Sequence, residues 1–106
     1  MLSFVYDGFP CWRAWSVRTY NALRRNNIHV TCAENAVQVG NLAIRGYIRN
    51  AGIMTAIELY RAGGLGAYEI LNRVNCELFH RKREMWSIEK VRALCEDFDR
   101  LFHNVV

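Results

Sequence analysis

Hydrophobic positions along the chain recur at three- and four-residue intervals, and strictly alternating runs are scarce, which predicts helices throughout. Ser16 precedes a stretch reaching about Asn27 in which Val17, Tyr20 and Leu23 form the apolar side, so Ser16 is the expected N-cap. Thr31 with Glu34, and Thr55 with Glu58, have capping-box spacing. Gly40-Asn41 predicts a break between helices over 32–39 and 42–51, since Gly suits a helix end and Asn a cap. A short helix over 56–62 should stop at Gly63-Gly64, and a longer one should run over 67–84. Ser87 caps a last helix, with Trp86 placed to staple onto Val91. Residues 1–14, with Phe4, Tyr6, Phe9 and Trp12, read as an irregular arm on the core; a short edge strand over 2–6 is the alternative. The expected fold is all-α, a compact bundle of about five helices forming one domain over 1–106.

The last helix carries Ile88, Val91, Cys95, Phe98 and Phe102 at 3-4-3-4 spacing. That stripe serves either the domain's own core or a homodimer seam through 88–102. A faint repeat is also visible: Val17-Arg18-x-Tyr20 recurs as Ile44-Arg45-x-Tyr47, each followed by an Ile and a T-x-x-E group.

Charge changes the picture more than composition does. The net +4 arises entirely in the first half, where Arg13, Arg18, Arg24, Arg25, Arg45 and Arg49 face only Asp7 and Glu34. Arginine makes forked contacts with phosphates and carboxylates, so a one-sided excess suits DNA, another polyanion or an acidic protein. The other reading is a solvated face. No signal peptide and no membrane-spanning stretch is evident, and Cys11, Cys32, Cys76 and Cys95 are too scattered for a paired motif. Reduced thiols in a cytoplasmic protein are expected.

Arg18 falls in the first helical turn, where the positive end of the helix dipole disfavours a cation. An arriving phosphate, held jointly with the free backbone amides, would make sense of it. Asn21 lies one turn on, and Arg24, Arg25, Arg45 and Arg49 extend the basic surface. Ala62-Gly-Gly-Leu-Gly66 is either a tight helix–helix turn or a helix–hairpin–helix element whose Gly64 and Gly66 let amides approach a phosphate. Arg81, Lys82 and Arg83 form a basic run at a helix end, explained by capping and solubility or by a second phosphate contact. Asp97 and Asp99 are expected to be solvated.

Ser16-Val17-Arg18-x-Tyr20-Asn21-x-Leu23-Arg24, with Ile28-His29 beyond, resembles the opening helix of the C-terminal domain of the bacterial RNA polymerase α subunit. Gly52-Ile53-x-Thr55-x-x-Glu58-Leu59 and Gly64-Leu65-Gly66 resemble that domain's next helix and glycine turn. The resemblance covers parts of 15–75, leaving 76–106 as a helical tail. It implies a helix–hairpin–helix fold that binds the DNA minor groove and contacts transcription regulators, with DNA contacts at Arg18, Asn21 and Gly66.

Chemistry finds little footing. His29-x-x-Cys32 and Cys76-x-x-x-His80 are zinc-ligand types, but the halves lie far apart and packing thiols account for them. No nucleophile has a base beside it, and no phosphate loop exists, so neither an enzyme nor a cofactor is expected. The expectation is a nucleic-acid-binding accessory or regulatory protein. The alternative is a small protein-interaction module or inhibitor, of phage or mobile-element type, that binds RNA polymerase, other transcription machinery or a defence complex. Trp12, Trp15 and Tyr68 would then be interface anchors.

Overall fold

The computed structural model describes residues 5–6, 9–10 and 15–103. A two-residue antiparallel pairing of β1 (Val5–Tyr6) with β2 (Phe9–Pro10) puts a minimal hairpin where an irregular arm was expected. The rest is helical: α1 (Val17–Arg25), α2 (Ala33–Ile44), α3 (Ile53–Ala62), α4 (Ala67–His80) and α5 (Ile88–His103). The fold is all-α, as the periodicity predicts.

Helix α3 is central, touching all four other helices. Every residue from Thr55 to Tyr60 is buried, so this helix is covered all round rather than along one stripe. It begins three residues earlier than expected, capped by Gly52, so Thr55 and Glu58 lie inside it rather than forming a capping box. Likewise Thr31 does not cap α2. Cys32 does, its Sγ accepting from the Asn35 amide at 3.4 Å.

The expected break at Gly40-Asn41 is absent, and α2 runs straight through it. Ala36, Gly40 and Ala43 form a buried line of small residues on α2. A Cβ on Gly40 would stand 2.9 Å from the Tyr60 ring, so this glycine permits close approach of α3 rather than ending a helix. Asn41 turns to the same ring, accepting from the Tyr60 hydroxyl at 2.7 Å. Residues 45–51, expected as helix, form the connector to α3 instead.

Helices α1 to α4 share one ending. Asn27, Gly46, Gly64 and Lys82 take positive φ (55°, 84°, 91° and 56°). The next residue in each case returns its amide to a carbonyl of the last turn: Ile28 to Leu23, Tyr47 to Leu42, Leu65 to Tyr60 and Arg83 to Leu78. This is the Schellman motif, which satisfies the orphan carbonyls of a helix end.

The stripe of α5 is consumed by the core: Val91, Cys95 and Phe98 are buried, and the helix packs on α3 and α4. The apolar surface of Val91, Cys95 and Phe98 is thus already covered within one chain, which favours the core reading of the stripe at these three positions. Asp99 is not a solvated acid either; it receives both the Nε and the Nη2 of Arg61 at 2.8 Å, clamping α5 to α3. Asp97 pairs with Arg100. No described helix is long and apolar enough to cross a membrane.

Candidate nucleic-acid interface

The mouth of α1 is already occupied by a carboxyl group of the chain itself. Ser16 caps the helix as expected, its hydroxyl accepting from the Thr19 amide at 3.3 Å. The Ser16 amide and hydroxyl each donate to the Glu58 carboxylate at 2.7 Å, and the Thr19 hydroxyl donates to it at the same distance. Glu58 is buried, and burial raises its pKa above the ordinary value, opposed by these three hydrogen bonds and by the nearby charge of Arg18. An arginine in the first turn is thus accounted for by a resident carboxylate, and a phosphate seated on these amides would have to displace it.

The glycine turn is closed in the same manner. Gly64 takes its positive φ, and Gly66 caps α4, but the Gly66 amide donates to Glu69 Oε1 at 3.4 Å. No hydrogen bond links Arg18 or Asn21 to this turn among the described residues. Both helix N-termini offered to phosphate by the sequence therefore carry the chain's own acids.

A different grouping emerges at the other end of α1. Arg24 and Arg25 occupy its last turn, where cations suit the dipole. The Asn26 side chain donates to the Ala22 carbonyl at 2.7 Å and to the Arg49 carbonyl at 3.0 Å. That second bond brings the α2–α3 connector, with Arg45 and Arg49, alongside the end of α1. Ile48, buried among these charges, anchors the connector to the core. Asn21 is half-buried, and Arg18 lies near the opposite end of the helix.

Arg18, Arg24, Arg25, Arg45 and Arg49 are all exposed, and none belongs to an ion pair among the described residues. Arginines of the second half differ, apart from Arg83, which is exposed and has no side-chain partner among the described residues. Arg61, Arg81 and Arg100 pair with acids, Arg73 lies over the Tyr60 ring at 5.3 Å, and Arg92 lies over Tyr68 at the same distance. Arg81 additionally donates to the Ile44 carbonyl at 2.7 Å, so its role is structural. Arg13 lies outside the described residues.

Tyr47, which the sequence offered only within a repeat, is 74% exposed between Arg45 and Arg49. The repeat itself has no structural counterpart, since its first copy opens α1 and its second closes α2. Trp15 is buried and so is no surface anchor, Trp12 lies outside the described residues, and Tyr68 is exposed beneath Arg92. No three His, Cys, Asp or Glu side chains converge on a metal position among the described residues. A groove of about 410 Å³ between α2, α3 and α4 is lined by Asn41, Arg45, Tyr60, Glu69, Arg73 and Glu77. Two acids balance two arginines there, and Arg73 already donates to Asn41 at 2.9 Å. Comparison with protein-family models, curated proteins and solved structures returned no match.

Proposed function

We propose that this chain is a nucleic-acid-binding accessory domain that grips phosphates with arginine side chains at the C-terminal end of α1 and on the α2–α3 connector. The observation that carries the reading is the split between arginines. Five of the six second-half arginines have internal partners, Arg83 being the exception, whereas five of the first half stand exposed without an ion pair among the described residues. Unpaired, weakly hydrated guanidinium groups on one edge supply the sequence-independent attraction that nucleic-acid binding needs. The resemblance to the RNA polymerase α C-terminal domain supports the same ligand and suggests a regulatory setting in the cytoplasm. The grip differs, because Glu58 and Glu69 fill the helix mouths.

A mobility-shift titration with mixed-sequence DNA tests this. Arg24→Ala, Arg25→Ala and Arg49→Ala combined should weaken binding by on the order of 10-fold or more with the thermal midpoint unchanged. Arg18→Ala should cost less, since the amides beside it are occupied. Undiminished binding by the triple variant would contradict the proposal.

A protein partner is the second reading, favoured by Tyr68 and Phe79. They lie eleven residues apart, three turns along α4, and both are exposed.

A further inference from the structure

We infer that the ligand is single-stranded and that Tyr47 is the platform on which one of its unpaired bases stacks; this rests on the nucleic-acid reading above and narrows it. The residue following the left-handed position of a Schellman motif commonly folds its apolar side chain back onto the helix. Ile28 after α1 and Leu65 after α3 do so, each partly buried against the core. Tyr47 occupies the same position after α2 and remains 74% exposed, its side chain making no hydrogen bond, ion pair or ring contact among the described residues.

The backbone around that ring is held on every side. The Tyr47 amide donates to the Leu42 carbonyl at 3.0 Å and the Gly46 amide to Ala43 at 3.1 Å. Gly46, at φ 84°, makes the turn. Arg81 secures the Ile44 carbonyl, Ile48 is buried, and Asn26 holds the Arg49 carbonyl. An aromatic ring held out on a fixed support loses little freedom when a ligand covers it. Arg45 and Arg49, two residues to either side, lie within about 7 Å of chain from it. Arg24 and Arg25 continue the positive edge beyond Arg49.

An aromatic face among arginines is how sequence-tolerant single-strand binding is built, with bases stacked on the ring and phosphates met by the cations. A duplex keeps its base faces inside the stack and gives such a ring nothing to cover. Duplex grips that use helix-end amides are already satisfied here by Glu58 and Glu69.

The test is fluorescence anisotropy with a labelled 12-nucleotide mixed-sequence DNA strand and with the same strand annealed to its complement, using the full chain. Wild type should bind the single strand more tightly than the duplex. Tyr47→Ala should lower single-strand affinity on the order of 10-fold and leave the weaker duplex binding unchanged, while Tyr47→Phe keeps the wild-type value. Circular dichroism melting verifies that the variants are folded. Equal single-strand binding by Tyr47→Ala, or tighter binding of duplex by wild type, would overturn the inference and leave the nucleic-acid reading standing, with Tyr47 then an anchor for a protein partner. Failure of wild type to bind either form would overturn both.

Discussion

Glu58 receives its hydrogen bonds from a helix start some forty residues earlier in the chain, and that distance explains why its role was hidden. The Ser16 cap was legible because a cap is a local event. Thr55 and Glu58 have capping-box spacing, yet Glu58 serves the cap of another helix and the Thr55 hydroxyl is buried without a hydrogen-bond partner among the described residues. A lone carboxylate within the apolar run Ile53-Met-Thr-Ala-Ile-Glu-Leu-Tyr60 was the available signal, since such a group needs donors from elsewhere. Glu58→Ala should destabilise the fold by about 3 kcal/mol in urea denaturation, because it strands a backbone amide and two hydroxyls. Burial raises the Glu58 pKa above the ordinary 4.5, so the folded state holds this proton more tightly than the unfolded state. The contribution of this group to stability is therefore greatest below that value and declines as pH rises through the raised pKa. Melting curves of Glu58→Gln across the same window should lack this decline; an identical pH dependence in both proteins would contradict it.

At the scale of elements, the starts and stops divide by what decides them. The Gly63-Gly64 stop after α3 could be read from sequence, since a left-handed helix end is a short-range motif. The same grammar misplaced a break at Gly40, where the glycine answers the ring of Tyr60 on another helix. The true end of α2 lies at Arg45-Gly46-Tyr47, where Gly46 takes the left-handed conformation. Gly40→Ala separates the two roles. A helix end would tolerate it poorly through backbone strain, whereas a buried contact face suffers from overpacking. With Gly40 inside α2, helicity should be retained while the thermal midpoint falls, by about 1–3 kcal/mol in stability. Circular dichroism together with chemical denaturation reads both quantities. Loss of helicity in the folded baseline would contradict the close-packing role.

Across the whole molecule, charge is sorted by half. Of the second-half acids, Glu77, Asp97 and Asp99 meet arginines of that half and Glu58 and Glu69 close the starts of α1 and α4, while the last helix is clamped to the core by Arg61 and Asp99. Arg24, Arg25, Arg45 and Arg49 are left on the surface, on the end of α1 and on the connector that Asn26 ties to it. The imbalance was plain from composition. Its location was not, because a sequence shows where charges occur but not which are neutralised by folding. The most direct measurement is the salt dependence of binding to a labelled DNA single strand between about 50 and 200 mM salt. Wild-type affinity should fall steeply, and each of Arg24→Ala, Arg25→Ala and Arg49→Ala should reduce the log–log slope by roughly 1 or less. An affinity indifferent to salt, or slopes untouched by these substitutions, would contradict a phosphate grip by this arginine edge.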